Sequence, residues 1–142
     1  MELNNLNLDV YLKHIKENGY KCTPQRLKIL SYFIEQKNRL VSAKSVTEHL
    51  RTFIGNISVD TVYRNLYLFK DIGLIEITFR NGEHLFHLKN NLYNHQHLFI
   101  CTECLTTTEI DVCPMKMLDA TLTNYRINHH KFEIYGLCPT CV

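Results

Sequence analysis

Residues 58–88 read SVDTVYRNLYLFKDIGLIEITFRNGEHLFHL, and two hydrophobic periods meet inside that stretch. Ser58 is a residue type that caps helix N-termini, and Val59, Val62, Leu66 and Phe69 recur along one side at helical spacing. Arg64 points directly away from that side, flanked by Asp60, Thr61 and Tyr67, with Tyr63 on the shoulder. Gly73 suits the left-handed residue that ends a helix. Beyond it the period shortens, and residues 74–79 and 84–88 read as strands. Between them Asn81-Gly82 is the strongest short hairpin signal, because both residues tolerate positive φ. A helix with a polar outer face that runs straight into a hairpin predicts a winged helix.

Toward the N-terminus the signals stay helical. Leu8, Tyr11, Leu12 and Ile15 follow the i, i+3, i+4, i+7 pattern, and Asn18-Gly19 stops that helix. Thr23-Pro24 opens a second helix, with Thr as N-cap and Pro where its missing N–H costs nothing. Leu27, Leu30 and Ile34 form its expected buried stripe, and Cys22 is expected to pack beside its cap. Ser42 caps a third helix with Val46 and Leu50 inward, and Gly55-Asn56 breaks the chain again. Residues 1–88 therefore make one predicted winged-helix domain, and the Asn-rich residues 89–94 a hinge.

Net charge over the 142 residues is +2, but its distribution is uneven. Residues 1–89 carry 13 Lys and Arg against 9 Asp and Glu, and residues 90–142 carry 3 against 5. A basic first part suits a polyanionic partner and an acidic second part suits cations, although a short chain produces such imbalances by chance. No apolar run is long enough to span a bilayer, and MELNNLNLDV has neither the basic start nor the apolar core of a secretory signal. A cytoplasmic location without a membrane partner is expected.

Residues 95–142 are read as a small α/β domain. Residues 97–102, 106–112 and 130–137 read as strands, and 114–124 as a helix that starts at Pro114 with Met117, Leu118 and Leu122 apolar. Cys101-Thr102-Glu103-Cys104 and Cys138-Pro139-Thr140-Cys141 are the most specific signal in the chain. Structural zinc takes four ligands in a tetrahedron and favours thiolate, and a two-residue spacer lets one tight turn aim two sulfurs at one ion. The pairs stand 33 residues apart. Such an ion would staple a unit of about 40 residues, a size that commonly needs one. A redox Cys-x-x-Cys or four unrelated thiols are the alternatives. Cys113 has no partner at ligand spacing and reads as a small buried side chain at a helix start.

His95 and His97 alternate around Gln96, so on a strand both imidazoles share a face. His130 precedes Cys138, and Glu109 and Asp111 follow Cys104, so the four-cysteine staple draws these groups together. A mixed nitrogen and oxygen set of this kind suits zinc, iron, manganese or nickel. Surface histidines on a stapled domain are the plainer alternative, and for His84 and His87, on the wing, that alternative is the expectation. A hydrolytic zinc is a poor fit, because no Gly-rich phosphate loop, nucleophile elbow or His-Glu-x-x-His is present. No enzyme activity and no small organic substrate are expected.

Four landmarks now stand in order: Gly19-Tyr20-Lys21-Cys22-Thr23-Pro24-Gln25-Arg26, Ser58-Val59-Asp60-Thr61-Val62-Tyr63-Arg64-Asn65-Leu66, His95-Gln96-His97, and the paired Cys-x-x-Cys. With them the chain resembles, over nearly its whole length, the ferric uptake regulator superfamily of metal-dependent repressors. The resemblance implies an α+β chain: a winged helix-turn-helix domain, a hinge and an α/β dimerisation domain with a four-cysteine zinc site. It implies a homodimer that metal binding closes into a DNA-binding shape, with a second divalent metal as regulator. Phe99-Ile100-Cys101 and Ile110-Asp111-Val112-Cys113-Pro114 look most like the zinc uptake branch. Iron and peroxide regulators usually carry a sensing histidine where Arg39-Leu40 stand here. In the zinc branch an acidic residue after the recognition helix serves instead, and Glu76 stands there.

Zinc regulators also usually carry a cysteine where Lys89, Asn90 and Asn91 stand, and a main sensing histidine three residues before the first cysteine pair. His97 lies four before it. Two placements of His95 and His97 therefore stay open: the sensing site with one extra residue, or the secondary metal site completed by the residue matching His130. For DNA, the resemblance places the Ser58 helix in the major groove. There Arg64 offers a bidentate fork to guanine, Tyr63 packs on a thymine methyl, and Thr61 lies beside them. Lys21 reaches an A·T-rich minor groove by the same resemblance, and Arg26 and Arg51 are candidate phosphate contacts. The expected function is a repressor of metal-uptake genes that binds operator duplex when loaded with regulatory metal, most simply zinc. The alternatives are an iron, manganese or peroxide sensor of the same superfamily and, more distantly, a zinc hydrolase or a zinc-stapled adaptor.

Overall fold

The computed structural model describes residues 2–92 and 95–142, with side chains described from Leu8 onward. The chain divides into two compact units, Met1–Leu92 and Tyr93–Val142. The expected hinge, residues 89–94, ends at Tyr93 and Asn94, which lie outside the described residues.

The first unit is a winged helix. Its elements run α1 (Glu2–Glu17), α2 (Pro24–Glu35), β1 (Val41–Ser42), α3 (Ala43–Ile54), α4 (Val59–Asp71), β2 (Ile75–Arg80) and β3 (Glu83–Leu88). The three expected caps are all made. Thr23, Ser42 and Ser58 each accept a hydrogen bond from the backbone N–H three residues on, at Arg26, Ser45 and Thr61. Asn81 (φ 52°) and Gly82 (φ 77°) turn β2 into β3 with Arg80 opposite Glu83, the left-handed pair that a two-residue hairpin requires. β1, too short to stand out in the sequence, pairs antiparallel with β3 and gives the sheet order β1-β3-β2.

Ile15, Leu30, Phe33, Val46, Leu50, Val62, Leu66, Phe69 and Phe86 pack into one fully buried core. Each such side chain contributes about 2 kcal/mol of apolar transfer, so packing rather than intrinsic propensity holds these short helices. Two expected core positions are corrected. Leu27 is 37% exposed and Val59 40% exposed, while Ile29 and Asn65 turn inward. The buried stripe of α2 is Ile29, Leu30 and Phe33, rotated from the expected phase. Asn65 is tolerated at the core edge because Arg26 Nε donates to its Oδ1 at 3.1 Å and its own Nδ2 donates to Thr61 O at 3.2 Å.

The second unit is built on β4 (His97–Cys101), β5 (Thr107–Ile110) and β6 (Glu133–Gly136) in the order β5-β4-β6. β5 is antiparallel and β6 parallel to the central strand. Residues 130–132, expected within the last strand, precede it, because pairing on β4 begins with Leu98 opposite Glu133. The expected helix 114–124 is a 3-10 helix at Pro114–Leu118 followed by turns. Thr121, Thr123 and Asn124 (φ 72°) oppose a longer helix, and Met117 is 81% exposed, so its apolar face is not packed on the described residues. Among the described residues no helix is long and apolar enough to cross a membrane.

Candidate metal centres and nucleic-acid face

Every strand of the second unit runs between the same two places. β4 starts at His97 and ends at Cys101. β6 begins just after His130 and ends just before Cys138. β5 runs back from Cys104 toward Cys113. The sheet therefore delivers thiols to one end and imidazoles to the other. Five strand residues at about 3.3 Å rise put roughly 13 Å between the two ends.

At the first end Cys101, Cys104, Cys138 and Cys141 bring their ligand atoms within 4.8 Å of one another. Cys104 Sγ and Cys138 Sγ are 3.8 Å apart. Four sulfurs at about 2.3 Å from a tetrahedral ion lie about 3.8 Å apart, so the set fits a structural zinc. The backbone prepares the charge as well. The N–H groups of Cys104 and Cys138 aim at the Cys101 sulfur and pull its thiol down to about 6. The Thr106 hydroxyl, 3.0 Å from Cys104 Sγ, lowers that thiol too. Cys141, crowded by the sulfurs of Cys138 and Cys104, is pushed up to about 12. A cation in the middle would remove that last proton, since thiolate is the ligating form.

At the other end stand His95, His97, His130 and Cys113, again within 4.8 Å of one another. His130 Nε2 is 3.4 Å from His97 Nε2, and Cys113 Sγ is 3.5 Å from His95 Nε2 and 3.6 Å from His130 Nε2. Three nitrogens and one sulfur around a four-coordinate ion would be separated by about 3.4 Å between nitrogens and about 3.5 Å between sulfur and nitrogen. The three histidines expected from the sequence are thus together.

Cys113 is a correction. It does stand at a helix start, as the N-cap of the 3-10 helix, but half-exposed among imidazoles rather than buried. The pairing rule misses it because its partners arrive from two other segments; its one signal is a thiol left over near a His-x-His. Glu109 and Asp111 are not in the group. Glu109 pairs with Leu98, on the opposite face of β4 from His97, and Asp111 lies just past the end of β5 and is exposed. Glu76 belongs to the first unit, where its Oε2 faces His87 Nε2 at 3.4 Å across the β2–β3 pair. His87 itself is buried, against the expectation of a surface residue, whereas His84 is half-exposed, with Nδ1 3.1 Å from the Tyr67 hydroxyl.

The outer face of α4 matches its reading. Arg64 projects into solvent with its side chain 80% exposed, and its Nη2 pairs with Asp60 Oδ2 at 2.9 Å one turn back. Tyr63 stacks on Tyr67 with ring centroids 6.0 Å apart, and the Thr61 and Ser58 hydroxyls bond at 2.9 Å. An open cleft of about 520 Å³ lies between α4 and the wing, lined by Asp60, Tyr63, Tyr67, Phe79 and His84. Lys21 is exposed. Arg26 has two donors committed within the unit, to Asn65 and to Lys21 O, so it clamps the Lys21 loop to α4. Arg51 is exposed, with its Nε donating to Ile57 O.

The comparisons with known proteins agree with one another. The sequence pattern of the Ferric uptake regulator family matches residues 17–135. The ferric uptake regulation protein of Staphylococcus epidermidis is 40% identical over 137 residues, with 96% of each chain covered. A zinc uptake regulator solved with zinc and DNA superposes with TM-score 0.78 at 22% identity, over 96% of this chain and 93% of that one. The ferric uptake regulator of Vibrio cholerae gives TM-score 0.65 at 27% identity, over 89% and 98%.

Proposed function

The chain belongs to the Ferric uptake regulator family and is a metal-responsive regulator rather than an enzyme, and from that premise we propose that it is a homodimeric repressor that binds operator DNA when zinc occupies His95, His97, Cys113 and His130. The spacing of those four ligand atoms carries the reading. A six-coordinate ion with similar bond lengths would draw neighbouring nitrogens to about 2.9 Å, closer than the 3.4 Å between His97 and His130. Imidazole with thiolate is also a donor set that suits zinc better than manganese. The zinc of the four-cysteine site holds the fold, and the second zinc regulates. When bound, an ion there supplies a fixed positive charge and a rigid cross-link, and the residues do the rest. β4 supplies His97, and the segments before β6 and after β5 supply His130 and Cys113.

DNA reading falls to α4, with Arg64 toward guanine, Tyr63 toward a thymine methyl and Thr61 beside them, while Lys21, Arg26 and Arg51 serve the backbone and the minor groove. The partner in the dimer is a second copy, received on exposed Ile134, Tyr135, Leu137 and Val142. Residues 89–94 serve as the hinge, and Glu76 remains a candidate contributor from the first unit.

The test is metal content by mass spectrometry, paired with operator affinity titrated against free zinc and free Fe(II) in separate arms. Two zinc ions per chain and zinc-dependent affinity are expected. A second reading, iron as the regulator, is favoured by the curated relatives named for ferric uptake. It wins if Fe(II) raises affinity at free concentrations where zinc does not.

A further inference from the structure

We propose that Cys113 is a site of two-electron oxidation by hydroperoxides, and that its oxidation releases the metal held with the three imidazoles. The inference rests on the reading of that cluster as the regulatory site. It separates Cys113 from the other five cysteines by environment. Cys101, Cys104, Cys138 and Cys141 enclose one another, and Cys101 is fully buried and takes the Cys138 N–H on its sulfur. A zinc-filled set of four thiolates presents no open sulfur. Cys22 directs its S–H to Leu12 O within the helical unit. Cys22, Cys104, Cys138 and Cys141 are half-exposed like Cys113, so exposure does not single it out; Cys113 differs in standing beside the exposed His95 as the single sulfur in its group, with no neighbouring thiolate to share the ion. As a metal ligand it is held as thiolate, the form that attacks peroxide.

The step balances without any further reagent. The Cys113 sulfur donates an electron pair to one peroxide oxygen, the S–O bond forms and the O–O bond breaks. Hydroxide leaves and takes a proton from solvent to become water, since His95 Nε2, 3.5 Å from the sulfur, is committed to the ion in the loaded state. Sulfur is oxidised by two electrons and the peroxide is reduced. The sulfenic acid is neutral, and its new oxygen must enter a space where imidazole nitrogens stand 3.5 and 3.6 Å from sulfur. The group then retains three imidazoles and no thiolate, and its hold on the ion falls. Among the described residues no second thiol shares the cluster, so an internal disulfide is not the expected end point. A small thiol reverses the change: it displaces water to give a mixed disulfide, and a second thiol then frees the Cys113 thiolate.

The experiment uses the full chain loaded with zinc at both sites and treated with a few equivalents of hydrogen peroxide. A sulfenic-acid trap and peptide mass spectrometry locate the modified residue, and a chromophoric chelator follows zinc. The trap should appear first on the peptide that contains Cys113, with loss of one of the two zinc ions. Dithiothreitol followed by zinc should restore the starting state. Cys22→Ser should behave as the wild type. Cys113→Asp, compared at saturating zinc, should acquire no trap there and release its second zinc more slowly under peroxide. First labelling on the four-cysteine peptides, or equal zinc release from wild type and Cys113→Asp, overturns the role of Cys113 alone. A wild-type chain that binds only one zinc overturns the metal reading beneath it, and the release step with it.

Discussion

Arg64 carries the sharpest single-residue expectation. Its guanidinium is exposed and paired with Asp60, so the proposed entry into the groove would break no buried contact. Arg64→Ala should cost roughly 1–3 kcal/mol of operator affinity and much less on random duplex. Equal losses on both, measured by fluorescence anisotropy at one salt concentration, would remove it from base reading. Tyr11 is a structural counterpart. Its hydroxyl donates to Lys89 O at 2.6 Å and joins α1 to the chain just beyond the wing. Burial pushes its phenol from 10.0 up to about 12. The neutral form is therefore the folded form, and its contribution is complete below pH 10.0 and fades as pH rises toward about 12. Tyr11→Phe should cost about 1 kcal/mol near neutral pH. That gap, followed by thermal melts, should narrow above pH 10.0 and not below it.

Elements with a cap, a period and a stop are legible in the chain alone. Thr23-Pro24, Ser42 and Ser58 each start a helix where local hydrogen-bonding chemistry requires it, and Asn81-Gly82 turns the hairpin through its own φ preferences. Elements that depend on distant partners are not. β1 has two residues and exists only because β3 is beside it. The start of β6 is set by β4, so residues 130–132 read as strand and yet leave His130 at a metal cluster. Cys113 is hidden for the same reason, since a ligand set gathered from separate segments has no fixed spacing. The cysteine pairs do have one, and their strength is testable at this scale. Both lie at the ends of strands that share little buried apolar surface, chiefly Leu98 and Ile100. Cys101→Ser or Cys138→Ser should therefore abolish the structural zinc and the cooperative unfolding of the second unit. A variant that still melts cooperatively without zinc would show that the sheet stands on its own.

At the scale of the whole molecule, the question is how an ion in one unit changes what the other unit reads. The wing ends at Leu88 and the first unit at Leu92, and the second unit, which begins at Tyr93, brings His95 into the candidate metal cluster. Metal there binds the entry point to the start of β4, to His130 before β6 and to Cys113 after β5. On the proposed reading, an ion there restrains the chain close to the boundary between the two units and narrows the range of poses open to the winged helix. In a dimer with two winged helices, half-site spacing on the duplex is a fixed distance, so narrowing that range favours simultaneous contact with both. A hundredfold gain in operator affinity needs about 2.7 kcal/mol of coupling, whereas confining a few residues of chain supplies only about 1 kcal/mol of loop entropy, so the proposed coupling also requires the ion to fix orientation. His97→Ala should therefore retain the four-cysteine zinc and the dimer, because its ring lies at the far end of β4 from Cys101, yet lose zinc-stimulated DNA binding. Glu76→Ala should lose less, since the described cluster is complete without it. Sedimentation, zinc stoichiometry and operator titration on the same sample separate these outcomes. If His97→Ala protein still answers zinc at the wild-type midpoint, the switch does not work through the imidazole end of the sheet, and Glu76 with the β2–β3 pair becomes the place to look.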